Sequence, residues 1–177
     1  MKRSIVIIDG SNFYHKLKEL TFKHTSSFDY SLFTKTIAKK TTIIARYYCI
    51  GKIKADQHDA KARRMMADQQ SLVTTLQKQK FIIQFGYLLK TGDSFHEKGV
   101  DVQMAVDLLK GAYRNEYDEA YLVSSDSDLI PAINEVQLCK KSVWYIGFGH
   151  KPSYALIRMC QRHKLLTKND LSPCIHP

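Results

Sequence analysis

The sequence predicts an α/β fold: a three-layer α/β/α sandwich around a mostly parallel sheet of about five strands. Three observations carry that expectation. The runs Ile5-Val6-Ile7-Ile8 and Tyr121-Leu122-Val123 are apolar without alternation, as in strands covered on both faces. Segments rich in β-branched and aromatic residues alternate with segments of helical periodicity, the order that builds a parallel sheet through crossover helices. The chain has 177 residues, 44% hydrophobic and 25% charged, which suits one globular domain, and it contains no repeat or linker-like run.

Residues 3–8 read as the first, buried strand. Ser11 is placed to cap a helix to about Leu20, with Phe13, Leu17 and Leu20 on one face. After a polar loop over 21–28, a second helix begins at Asp29 or Ser31 and runs to about Lys40, and Thr42 to Ile50 form the second strand. A long helix over about 56–80 carries Ala62, Met65, Met66, Leu72, Val73 and Leu76 as its apolar stripe, the methionines serving as core filler. Phe81 to Leu89 is the third strand and 91–98 a polar loop. The next helix, Val100 to about Arg114, turns Val102, Ala105, Val106, Leu109 and Ala112 inward. Strands at 119–124 and 142–148 bracket a helix over 128–140, and a last helix covers 152 to about 162. The single domain has its core over about 1–165, followed by a short, disordered tail.

Several function classes drop out. No stretch approaches the ~18 apolar residues of a membrane helix, and residues 1–8 lack a signal-peptide core, so a cytoplasmic protein with no membrane partner is expected. The four cysteines are scattered, and Cys160 with His163, or Cys174 with His176, fits no zinc spacing. Lys and Arg number 27 against 17 Asp and Glu, a net charge of +10, which favours a polyanionic partner.

The chemistry gathers at one rim of the sheet. Asp9 ends the first strand, and "SSDSD", residues 124–128, ends a later parallel one. Asp101 opens a crossover helix, which starts on that same rim. Each acid alone could be a helix cap or first-turn residue. Together Asp9, Asp101, Asp126 and Asp128 would repel one another, and a cation among them relieves that repulsion. Mg²⁺ or Mn²⁺ suits oxygen-only ligands, and such an ion supports in-line phosphoryl displacement. Asn12 and Ser125 are placed to orient a metal water or a phosphate, and Lys98 to contact a phosphate. Asp107, six residues past Asp101 and well round the helix, either braces the cluster from behind or lies on a solvated face.

Three motifs resemble the NYN domains of the PIN-like nuclease superfamily, and within them the LabA-like (DUF88) group. They are "VIIDGSNFY", "EKGVDVQMAVDLL" and "AYLVSSDSDLIPAINEV", in that order over roughly residues 1–150. The resemblance implies a PIN-like fold, a divalent-metal site at Asp9, Asp101, Asp126 and Asp128 with Asn12 in support, and endoribonuclease activity. Ser125 departs from the pattern, standing where the family usually carries Gly in "SGDSD".

With single-stranded RNA as partner, basic residues should flank the acidic rim. Lys52, Lys54, Lys61, Arg63 and Arg64 are placed there, as are Lys90, Lys98, His150 and Lys151 in comparable loops. Tyr14, Tyr48, Tyr87 and Phe95 are candidates for base stacking or for the core. "GFGHKP", residues 147–152, lacks the third glycine of a dinucleotide fingerprint and reads as a loop making room beside the site. A haloacid-dehalogenase-type phosphatase would need a second acid where Ser11 stands. A catalytically silent RNA-binding or protein-interaction module remains the alternative, and a homodimer is allowed although no segment calls for one.

Overall fold

The computed structural model of the chain describes residues 1–22, 28–53, 59–91 and 94–175. Its strands are β1 (Arg3–Asp9), β2 (Thr42–Lys52), β3 (Ile82–Thr91), β4 (Ser94–Lys98), β5 (Glu119–Val123), β6 (Ser142–Phe148) and β7 (Arg162–Leu166). Its helices are α1 (Gly10–Glu19), α2 (Tyr30–Ile37), α3 (Ala60–Lys78), α4 (Val100–Tyr113), α5 (Ile130–Leu138), α6 (Tyr154–Met159) and α7 (Lys168–Leu171). The strands form one sheet in the order β4-β3-β2-β1-β5-β6-β7. All neighbours run parallel except the β3–β4 hairpin.

Because β1 and β5 lie at the middle, both of their faces are covered, and this is why they read as unbroken apolar runs. Val6 and Ile8 face the layer built by α1, α2, α3 and α7, where Phe13 meets the rings of Phe28, Phe33 and Phe148 at 5.5, 5.1 and 5.8 Å. Ile5 and Ile7 face the opposite layer of α4, α5 and α6, packed by Met104, Leu108, Ile133 and Leu156. The three-layer sandwich is as expected, with six parallel strands and one antiparallel edge strand.

Five details correct the sequence reading. The sheet has seven strands rather than about five, because β4 lies in the expected polar loop and β7 just past the expected last helix, where the sequence reading places no element. Both are edge strands, paired on one side only, so neither needs the apolar signature of an interior strand, and the expected last helix, 152 to about 162, itself ends at Met159 before β7 begins. In α4, Val102 and Val106 are 61% and 48% exposed, whereas Val100, Met104, Asp107 and Leu108 are buried. Residues two apart on a helix lie about 200° apart, and apolar side chains on both sides leave its phase undecided. Met65 and Met66 are exposed, leaving Ala62, Val73 and Leu76 as the buried face of α3. The tail is folded to Ile175: Thr167 and Asp170 form a reciprocal cap on α7, Leu171 and Cys174 are buried, and Ile175 pairs with Phe28. Finally, Asp9 rather than Ser11 caps α1.

Candidate active site

The site begins where β1 and β5 stop side by side. Ile8 pairs with Val123, so the next residues, Asp9 and Ser124, emerge together at the carboxyl rim. The chain then turns directly into α1, and Asp9 Oδ1 accepts the Asn12 N–H at 3.0 Å, an N-cap that fixes the carboxylate as it starts the helix. Gly10 makes this tight entry feasible. A Cβ there would collide with the Tyr48 ring and lie 2.9 Å from the Cys49 carbonyl oxygen.

Ser124, buried, ties the two acidic segments together. Its hydroxyl donates to Asp9 Oδ2 at 2.9 Å and accepts from the Asp126 N–H at 3.1 Å. Asp126 Oδ1 in turn accepts from the Asp128 N–H at 2.9 Å, capping the single 3₁₀ turn over Ser127–Leu129. Burial pushes the Asp9 carboxyl above its ordinary value, and the Asp126 charge adds to that. The hydrogen bonds from Asn12, Ser124 and the Ser11 backbone work against it.

Asp9, Ser125 and Asp126 form one side of a cleft of about 460 Å³, and Ser11, Asn12, His15, Lys16 and Glu19 on α1 form the other. At the far end of the cleft basic groups gather round one carboxylate. The Lys16 ammonium donates to the Lys151 carbonyl at 3.2 Å, and Glu19 Oε2 lies 2.8 Å from His150 Nε2. Glu19 sits below the usual carboxylate range, chiefly through that bond to His150, with the Lys16 and Lys151 charges assisting. The "GFGHKP" loop therefore does reach the site.

Of the residues expected from sequence, Asp9, Asn12, Ser125 and Asp126 share this cleft. Asp128 stands beside them through its backbone, with an exposed side chain. Asp101 lies half-buried in the first turn of α4, which packs against β1 and Ser127–Leu129, but it does not line the cleft. Among the described residues, no group of three or more His, Cys, Asp or Glu side chains is close enough to hold a metal ion. Asp107 is neither solvated nor among these acids. It is buried in α4 and accepts from Gln103 Nε2 at 3.2 Å, and burial raises its carboxyl pKa.

Lys52, Lys61, Arg63, Arg64 and Lys98 are exposed. Lys52 ends β2 with its ammonium 5.8 Å from the Phe85 ring centre, and Lys98 pairs with Tyr87 across the β3–β4 hairpin. Lys54 and the side chains of Lys90 and Phe95 lie outside the described residues. Tyr48 is a core residue, whereas Tyr14 and Tyr87 are exposed. His15, Lys16, Glu19 and Ser124 were missed by sequence reasoning. Helical spacing from Ser11 and Asn12, four residues at a time, would have found the first three.

The donor set fits a hard divalent ion. Mg²⁺ is commonly held by one or two carboxylates and keeps its remaining ligands as waters, and Asp9 with Asp126 supplies that minimum. Ser125, in the same lining, carries a buried hydroxyl oxygen without a hydrogen-bond partner, an unsatisfied polar atom of the kind that marks functional sites.

The family model described as NYN domain matches residues 3–166. A solved structure of a protein of unknown function, VPA0982 from Vibrio parahaemolyticus, shares the fold. Its TM-score is 0.72 and its identity 19%, over 96% of this chain and 95% of that one. Comparison with curated proteins gives no match.

Proposed function

Since the chain belongs to the NYN domain family, part of the PIN-like nuclease superfamily, we propose that it is a divalent-metal-dependent endoribonuclease of the LabA-like (DUF88) group acting on single-stranded RNA in the cytoplasm. One observation carries the reading. Asp9, at the end of β1, and Asp126, just past β5, line one cleft, and Ser124 joins the Asp9 carboxylate to the Asp126 backbone N–H.

Asp9 and Asp126 are the residues we assign to Mg²⁺ or Mn²⁺, with Asp101 and Asp128 as the further acids of the site. A bound ion of this kind lowers the pKa of a coordinated water and offsets the charge of an in-line phosphodiester displacement. The chain's own part is positioning. Both oxygens of Asp9 are already fixed by hydrogen bonds, so its orientation costs nothing further when substrate arrives. Asn12, in the first turn of α1, orients water or phosphate at the mouth of the cleft, and Ser125 offers its unpartnered hydroxyl. Lys52, Arg63, Arg64 and Lys98 are assigned to guiding the RNA backbone, as exposed cations draw in a polyanion.

The test is cleavage of a labelled single-stranded RNA with Mn²⁺, comparing the wild type with Asp126→Asn. Asparagine keeps the oxygen that caps the Ser127–Leu129 turn, so folding should be near normal while cleavage is lost. Equal cleavage by the two proteins would refute the assignment. A catalytically silent RNA-binding module is the second reading, favoured by the lack of a three-carboxylate group among the described residues. RNA binding without cleavage by the wild type would establish it.

A further inference from the structure

We propose that Lys16 is the phosphate-binding residue of the cleft, its ammonium and the Ser125 hydroxyl each donating to an oxygen of one RNA phosphodiester. The inference rests on RNA as the substrate and deepens that reading. Lys16 is only 7% exposed, and a lysine is rarely buried so far unless its charge has work to do or a close partner. The partner it has is shared. Glu19 Oε2 lies 3.6 Å from Lys16 Nζ, too far for a good hydrogen bond, and the same carboxylate also serves His150 at 2.8 Å and Lys151 at 3.7 Å.

An ammonium has three N–H donors, and among the described residues only the Lys151 carbonyl, at 3.2 Å, accepts one of them. Donor capacity therefore remains in the wall of the cleft. Lys16 follows Asn12 by one turn on the same face of α1, about 6 Å along the helix axis. The cleft is thus acidic at Asp9 and Asp126 and carries the Lys16 ammonium, beside Glu19, one turn away, with the unpartnered Ser125 hydroxyl in the same lining. A phosphodiester answers the open donors of this arrangement, while Glu19 keeps its bond to His150. Its negative charge answers the ammonium, its oxygens accept from both hydroxyl and ammonium, and its phosphorus then faces the acidic end. If Lys16 were only structural, an apolar side chain of equal length would replace it at no loss of binding.

The experiment measures binding of a fluorescent ten-nucleotide single-stranded RNA in the Asp126→Asn background with Mg²⁺, over a range of salt. Lys16→Met, which keeps the buried stem, should weaken binding roughly tenfold or more. It should also flatten the salt dependence by about 0.7 in log–log slope, one phosphate contact for a single strand. Lys16→Arg should recover most of both. Ser125→Ala removes a hydroxyl with no partner in the fold and should weaken binding about fivefold; it decides the matter if Lys16→Met melts early. Unchanged affinity and slope in Lys16→Met, or unchanged affinity in Ser125→Ala should that variant be the deciding one, overturns the inference and leaves RNA as substrate. Lys16-dependent binding with no cleavage by the wild type upholds it and removes only the nuclease reading. No RNA binding by the background protein overturns both.

Discussion

Replacing Asp9 by alanine and by asparagine should have opposite consequences for folding, because the carboxylate holds the backbone as well as facing the cleft. Alanine removes the N-cap acceptor for Asn12, which is worth about 1 kcal/mol. It also leaves the hydroxyl of Ser124, 2% exposed, without an acceptor, at about 1–3 kcal/mol. The sum is about 2–4 kcal/mol, or a Tm lower by roughly 4–16 °C for a chain of this size. Asparagine keeps the capping oxygen, and its amide can donate to Ser124 Oγ in place of the bond Ser124 gave, so it should lose less than alanine.

The pH dependence fixes the sign. Burial first, then the Asp126 charge, raises the folded carboxyl of Asp9. Its contribution to stability is therefore fully present below the unfolded value of about 3.9 and is lost as pH rises through the higher folded value. The neutral amide carries no such loss. Relative to the wild type, Asp9→Asn should thus gain stability from about pH 4 upward, while remaining unable to cleave RNA. Urea unfolding in metal-free buffer between about pH 4 and 8 reads this directly. An asparagine variant as unstable as alanine at pH 7, or one that loses ground to the wild type as pH rises, would refute the reasoning.

Gly10→Ala should be destabilising by about 1–3 kcal/mol, since the added methyl meets the Tyr48 ring and the Cys49 carbonyl. Thermal unfolding checks it, and cleavage should fall as well because Asp9 is the preceding residue. Asp118→Asn tests a surface anchor far from the cleft. Hydrogen bonds from the side chain and backbone of Arg3 lower the Asp118 carboxyl to about 2, so its contribution is present above the unfolded value and lost as pH falls toward about 2. The variant should be less stable than the wild type at pH 7 and indistinguishable from it near pH 2 by circular dichroism, with cleavage unaffected.

What the sequence disclosed follows from how strongly each environment constrains its residues. Ile5 to Ile8 and Tyr121 to Val123 are covered on both faces, so no polar residue is tolerated and the strands announce themselves. Asp9 and Asp126 were legible because an acid at the end of such a run breaks a strong pattern. Edge strand β7 carries exposed Arg162 and His163 and gives no comparable signal. The phase of α4 was misread because Val102 and Val106 imitate a core stripe while the buried Asp107 carries its own partner in Gln103. The folded tail did have a signature, since Thr167 and Asp170 are spaced as a capping pair ahead of Leu171. Lys16 was hidden for a different reason: a lysine on a helix ordinarily faces solvent, and this one is buried with its ammonium on the Lys151 carbonyl, 135 residues away in sequence.

Asp9 ends β1, the middle strand of the seven and the one farthest from either border of the sheet, and Asp126 follows its neighbour β5 by three residues. Amides in such strands exchange with solvent chiefly when the whole molecule opens, whereas borders and termini fray at little cost. Asp9 is therefore anchored in the last part of the protein to come apart. Its carboxylate can be carried out of register only by an event that also dismantles the domain, and no partly opened form should keep its shape while losing Asp9 from the cleft.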